Sequence, residues 1–380
     1  MKFLGKLKDF LKKNLMLAVS LIAAIISLFI TPPGPKTLAG VDWKTLATLF
    51  MLLSILDGFK SENLFLPVLR LSGKIKTHTG LSLFLIFGVF FSSMFVTNDV
   101  SLIIFVPLTI ILFRAAETEE LILPVICMEN IAAVRGSLLT PFGSPQNLFL
   151  FAQSGISAGD FLLMMLPLWL MSMVLLVLFV LFLHRKNLGG KLELKEGITE
   201  EWKPERKGKR ILYLALFALV IVTIVTRTTL WPYVTGVVVI LLLIFDRAVF
   251  KRVDYALLLT FFCFFLFSSS IAENETVAGF LNRIVPGNEY LLSIGISQVI
   301  SNVPASIVLW NFTDSLRPLI YGLDTAGLVT VIGSLASVIN MRIYTREYPG
   351  KGGRFMLTFE IVSLAFFVIV APIQWLMLTL

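Results

Sequence analysis

Long apolar runs recur from one end of this 380-residue chain to the other. They fall at 14–31, 42–59, 121–139, 160–184, 211–228, 231–246, 254–272, 319–339 and 355–378. Each approaches the length of about 20 residues that a helix needs to cross a bilayer's hydrocarbon core. Only 15% of the residues are charged and 57% are hydrophobic, whereas a soluble domain carries about 25% charged residues. The runs are too long and too uniform for barrel strands, which alternate over short segments. The expected fold class is therefore an all-α polytopic membrane protein.

The net charge of +8 does not point to a nucleic-acid partner. The lysines and arginines gather in short segments between spans, the pattern that marks the inner side of a membrane. Lys2, Lys6, Lys8, Lys12 and Lys13 mark the N-terminus. Lys60, Arg70, Lys74 and Lys76 mark the next such segment. The 185–210 segment, then Arg247, Lys251 and Arg252, then Arg342, Arg346, Lys351 and Arg354 mark three more. No small-residue cleavage site follows the first apolar run, which is read as a retained span. Cys127 and Cys263 lie in apolar runs, and His78 and His184 lie at segment ends. Neither a disulfide framework nor a metal cluster is expected from them.

Two further apolar stretches, 80–113 and 288–312, are interrupted at their centres. One break reads Thr97-Asn98-Asp99 and the other Ser301-Asn302-Val303-Pro304. Each stretch is long enough for two short helices and a turn, so both are expected to be re-entrant hairpins. With neither crossing, about nine spanning helices place all five basic segments inside. The N-terminus is then inside and the C-terminus outside. The amphipathic segment 62–75, with Pro67, is read as an interfacial helix.

The two halves of the chain then correspond. Residues 1–184 form a first repeat, with the inside-opening hairpin 80–113 and a broken helix near 140–147. Residues 185–210 are a basic cytoplasmic linker. Residues 211–380 form a second repeat, with the outside-opening hairpin 288–312 and a broken helix near 332–340. An inverted repeat with paired broken segments points to a secondary transporter, whose site lies where the breaks meet.

The candidate site follows from the polar residues at those breaks. Asn98, Asp99, Ser144, Asn147, Asn302, Ser334 and Arg135 are the candidate substrate-binding residues. Thr97, Asn98, Gly143, Ser301, Asn302 and Gly333 offer hydroxyl, amide and backbone oxygens, the ligand chemistry of a hard cation such as Na⁺. Asp99 is the candidate carrier of the coupling proton or cation. Simpler roles compete with each. Asn98 can cap the helix that follows it, Pro304 can start one, and small residues such as Ser337 pack helices closely. Arg135 can form a structural ion pair with Glu129 or Asp99. Asp57, Asn130 and Glu273 complete the polar residues in apolar surroundings.

The stretches "VTNDVSLIIFVPLT", "ENIAAVRGSLLTPFGSPQNLFL", "ISQVISNVPASIVL" and "GLVTVIGSLASVIN", in that order, resemble the ion transporter superfamily. That group holds citrate-transporter-like proteins, divalent anion:sodium symporters, arsenical pump membrane proteins and a branch of sodium/proton antiporters. The resemblance covers roughly residues 14–378 and implies an elevator-type transporter, often a homodimer, with both hairpins in a mobile domain. Hairpin tips in the anion symporters read Ser-Asn-Thr. Here the third position is Asp99 in one tip and Val303 in the other, closer to the arsenical pump and antiporter side.

The expected function is a secondary active transporter in the inner membrane. Its partners are a small inorganic or organic anion, Na⁺ or H⁺, and the bilayer. Arsenite efflux and Na⁺/H⁺ antiport are the alternatives. No cofactor is expected beyond bound Na⁺. An enzyme is not expected, because paired catalytic aspartates, a Ser–His pair and Asp-rich metal motifs are missing from the spans.

Overall fold

A computed structural model describes residues 15–31, 34, 38–64, 71–191 and 207–379. The basic N-terminus, residues 65–70 of the expected interfacial helix and residues 192–206 of the linker lie outside them. Residues 71–74 of that expected helix form a single 3-10 turn.

The described residues are helical, with one isolated β-bridge between Thr77 and Lys191. The first half contains α1 (Leu15–Ile30), α2 (Trp43–Ser61), α3 (His78–Val96), α4 (Asn98–Ala115), α5 (Ile122–Gly136), α6 (Pro145–Ser154) and α7 (Ala158–Leu183). The second contains α8 (Lys207–Val225), α9 (Trp231–Asp246), α10 (Tyr255–Glu273), α11 (Glu275–Ile284), α12 (Glu289–Ile300), α13 (Asn302–Trp310), α14 (Leu316–Ala326), α15 (Leu335–Glu347) and α16 (Gly352–Thr379). Local chemistry sets many of the ends. Asp42, Thr77, Ser144, Ser157, Asp254 and Asn274 each accept a hydrogen bond from a free N–H of the first turn that follows.

Among the described residues, seven helices are long and apolar enough to cross a membrane: α3, α4, α7, α8, α9 with the turn after it, α10 and α16. This count differs from the nine expected spans in particular ways. The run 121–139 yields α5, which ends at Gly136 after 15 residues, roughly 22 Å of helix against a core of about 30 Å. The run 319–339 does not form one helix at all. It is cut between Ala326 and Leu335, with a 3-10 turn at Val331–Gly333. The arms α3 and α4, by contrast, are each long enough to span.

The outer faces of α7, α9 and α16 are apolar and exposed. Leu163, Val174, Leu178, Phe182, Ile240, Ile244, Leu357, Ile361 and Val368 all point outward. A surface so greasy is unstable in water and suited to lipid. The chain is an integral membrane protein.

Two hydrophobic cores lie inside this shell, and each mixes the two halves of the sequence. One joins α3, α4, α5 and α7 to Tyr344 of α15 and Phe355, Phe359 and Phe366 of α16. The other joins α2 and α6 to α8, α10, α13 and α14. The two halves of the chain interlock rather than stand apart.

Candidate functional site

The first broken stretch is a helical hairpin. Ser92 Oγ on α3 donates to Ser101 Oγ on α4 at 2.9 Å. Phe105 packs so closely on Gly88 that a Cβ there would lie 2.4 Å from its ring. Both pairs are symmetric about the same point, so the helices run antiparallel from a turn at Thr97. The second stretch closes the same way. Thr313, just past α13, donates to Glu289 Oε1 at the start of α12 at 2.8 Å. The two ends of that hairpin therefore meet, with Ser301 at its far tip. Its arms of 12 and 9 residues are roughly 18 and 14 Å long, too short to cross.

The tips share one backbone conformation. Thr97 has φ 72° and ψ 156°, and Ser301 has φ 70° and ψ 159°. Residues with a side chain rarely hold this region, at a cost of about 1–3 kcal/mol. Each tip is followed at once by an asparagine that opens the next helix. Asn98 Oδ1 accepts from the Asp99 N–H at 2.9 Å, and Asn302 Nδ2 donates to the Leu323 carbonyl at 3.4 Å. Asn98 is the first residue of α4 and not its cap: the cap position is Thr97, whose side chain makes no capping hydrogen bond.

The two breaks match as well. Ser144 and Ser334 both hold extended backbone before a helix, at φ −145° and −143°. The glycine before each is required by a close approach. A Cβ on Gly143 would lie 2.3 Å from the Ser137 carbonyl oxygen, and one on Gly333 would lie 2.1 Å from that of Ala326. The unwound segments sit slightly earlier than expected, at 137–144 and 327–334. Residues 145–147 and 335–340 are already helical. Thr140 Oγ1 donates to the Met94 carbonyl and ties the first break to the first hairpin.

Thr97, Asp99 and Ser144 line a cavity of about 210 Å³ together with Asp57, Lys60, Arg252 and Asp254. Leu335 and Ile339, just past the second break, form part of its wall. Arg252 Nε donates to Asp57 Oδ2 at 2.6 Å, and Asp254 Oδ1 accepts from the Leu257 N–H at the start of α10. Asn98, Gly143, Asn147, Arg135, Ser301, Asn302, Gly333 and Ser334 do not line this cavity.

Most of these residues instead surround the end of α14. Five consecutive residues there each meet a different element. The Leu323 carbonyl takes Asn302. Asp324 Oδ1 accepts from Gln146 Nε2 of α6 at 3.0 Å. Thr325 Oγ1 donates to Gln374 Oε1 of α16 at 2.6 Å. The Ala326 carbonyl accepts from Gln298 Nε2 of α12 at 3.1 Å. Gly327 lies against Ser334 and Val134.

Arg135 sits beside this segment, fully buried. Its Nε donates to Ser172 Oγ of α7 at 2.8 Å. It does not hydrogen-bond to Glu129 or Asp99 as the ion-pair reading expected. Glu129 Oε1 instead accepts from Thr109 Oγ1 of α4 at 2.5 Å. The acid whose charge acts on Arg135 is Asp324. Arg135 Nη1 and Nη2, both side-chain atoms of Asn147, Ser301 Oγ, Ser334 Oγ, Asp324 Oδ2 and Asp99 Oδ1 are buried without a hydrogen-bond partner among the described residues. Buried polar atoms are nearly always paired, so such a concentration at the tips and breaks marks a place built for something else. Its donors suit an oxyanion and its oxygens suit a small cation.

The sequence reading missed Asp324, Gln146 and Gln298. Asp324 was within reach of the rule that flags ionisable residues inside apolar runs, since it interrupts "LIYGLDTAGLV". Nothing local marks the two glutamines, whose roles depend on distant partners.

Comparison with known proteins agrees with this architecture. The chain is 33% identical over 324 residues to the inner membrane protein YbiR of Escherichia coli (strain K12), covering 83% of this chain and 84% of that protein. It is 32% identical over 349 residues to the uncharacterized transporter MJ0456 of Methanocaldococcus jannaschii, covering 88% of this chain and 91% of that one. The family model for citrate transporters matches residues 10–316. This chain, with its two hairpins and two glycine breaks, belongs to the citrate transporter family.

Proposed function

We propose that this membrane transporter is a secondary active carrier of a small anion, coupled to Na⁺ or H⁺. The observation that carries the reading is the matched pair of tips, Thr97 and Ser301, set beside matched breaks and a buried guanidinium with two free nitrogens. Arg135, Asn147, Ser144, Asn98, Asn302 and Ser334 hold the anion. Thr97, Asn98, Gly143, Ser301, Asn302 and Gly333 supply oxygens for the cation. Asp99, in the same cavity as Asp57 and Asp254, takes up the coupling cation or proton. Substrate and coupling ion then raise each other's affinity by the same factor, which is what couples their movement.

Both hairpins are re-entrant in this reading and move together as an elevator within a homodimer. Lys60 and Arg252 in the cavity lining support an opening toward the inner face under the positive-inside rule. The N-terminus is inside and the C-terminus outside. Asp57, Asp99 and Asp254 around one cavity favour Na⁺/H⁺ antiport as the second reading, because acids alone serve a cation.

Uptake of radiolabelled citrate, succinate, sulfate, phosphate and arsenite into proteoliposomes tests both, with Na⁺ and pH gradients varied separately. Gradient-driven uptake of one anion, lost in Asn98→Ala, supports the carrier. Cation-driven proton movement with no anion uptake supports the antiporter.

A further inference from the structure

Arg135 and Asp324 are opposite charges from opposite halves of the chain, both almost wholly buried. Each acts electrostatically on the other, yet no hydrogen bond joins them. Gln146 holds one oxygen of Asp324 and Ser172 holds one nitrogen of Arg135. The remaining guanidinium nitrogens make no hydrogen bond among the described residues, and the second Asp324 oxygen has the Asn147 amide beside it. The other titratable groups acting on Arg135 are Tyr290 of α12 and Tyr321 of α14. From the elements packed on α14, the facing groups are uncharged: Gln146 and Asn147 of α6, Asn302 of α13 and Gln374 of α16.

A guanidinium keeps its proton inside a protein. The site is therefore neutral only while Asp324 is ionised. An anion that engaged the two free nitrogens of Arg135 would leave the site with a net negative charge, in surroundings that cannot solvate it. One added positive charge removes one unit of that excess and restores neutrality outright for a monoanion. A sodium ion would have to sit beside the like-charged guanidinium with the one acid oxygen that Gln146 does not hold. A proton needs only that oxygen.

Building on the carrier reading above, we propose that Asp324 is an internal stand-in for the transported anion. It balances Arg135 between transport events and gives way to the anion only once it has bound a proton. The proton comes from water on the loading side and adds to a carboxylate oxygen of Asp324. It travels with the anion. It returns to water on the far side, when the anion leaves and Asp324 again balances Arg135. Asp324 is then the residue that couples proton and anion, one layer deeper than Asp99.

The test compares wild type with Asp324→Asn in proteoliposomes, using labelled citrate, succinate, sulfate and phosphate in turn. Two rates are read: exchange of anion for anion, and accumulation driven by a pH gradient. The variant is expected to keep exchange and lose pH-driven accumulation, because its amide is permanently neutral. Accumulation in the variant equal to wild type overturns the role of Asp324 and leaves the carrier standing. Wild type that neither exchanges nor accumulates any of the four anions overturns the carrier and this role with it. A second measurement serves if the variant does not fold. Wild-type affinity for the exchanged anion is expected to weaken about tenfold per pH unit once Asp324 is ionised. An affinity unchanged across about pH 5 to 9, a range that brackets carboxylates raised by burial, overturns the proposal.

Discussion

Thr97 and Ser301 hold the same left-handed backbone conformation, within 3° in both φ and ψ, at the tips of two hairpins from opposite halves of the chain. Neither is glycine, and each is followed by asparagine. The shared conformation sets the direction in which each following helix leaves its tip.

Glycine at either tip removes that strain. Thr97→Gly and Ser301→Gly are each expected to stabilise the fold by about 1 kcal/mol, the strain relief being partly offset by the flexibility glycine adds to the unfolded chain. Thermal unfolding in detergent measures this. Transport is expected to fall in Ser301→Gly despite the gain, because the free hydroxyl is lost. A variant that is both more stable and fully active would show that the hydroxyl has no role.

The two break glycines should respond in the opposite direction. A methyl group on Gly143 or Gly333 would meet a backbone carbonyl at 2.3 or 2.1 Å. Backbone cannot turn aside as a flexible side chain can. Gly143→Ala and Gly333→Ala are each expected to cost about 1–3 kcal/mol, while Gly236→Ala, where the added carbon meets open space, is expected to stay within about 0.5 kcal/mol. Melting temperatures of the three variants side by side decide it.

Gln146 and Asp324 lie 178 positions apart and join the start of α6 to α14. Gln146→Leu leaves an acid oxygen buried without a donor and is expected to cost about 1–3 kcal/mol. In Asp324→Leu the same glutamine change should cost much less, because no carboxylate remains to be stranded. A double-mutant cycle by chemical denaturation measures the coupling. Additive costs would mean that the contact does not form.

His184 caps the C-terminal end of α7, and its Nε2 lies 2.9 Å from Ser82 Oγ of α3. Burial, with a smaller contribution from His78, lowers its pKa below the ordinary 6.5. The folded protein therefore binds this proton less readily than the unfolded chain. Stability from this group is complete above about pH 6.5 and declines as pH falls toward the folded-state value. His184→Gln is expected to flatten that acid limb while leaving stability at about pH 8 within 1 kcal/mol of wild type. Melting curves taken across the range test both parts.

Local chemistry announces much of this molecule. Apolar runs of near-bilayer length name its class, because lipid admits few ways to satisfy a backbone. The turns at Thr97 and Ser301 are legible because polar residues and Pro304 break otherwise continuous apolar helices. Gly143 and Gly333 are legible because an unwound helix needs residues without side chains. The limits of that reading show in where the second break falls, at 327–334 rather than 332–340, because Gly327 lies against side-chain atoms of Val134 from α5 and Gly333 against the Ala326 carbonyl. They show again at Arg135. The nearest acid in sequence, Glu129, turns to Thr109, and the acid that balances Arg135 comes from α14. Only tertiary folding decides such partners, because buried charge seeks whatever opposite charge the interlocked halves of the chain bring near, at any separation along the sequence.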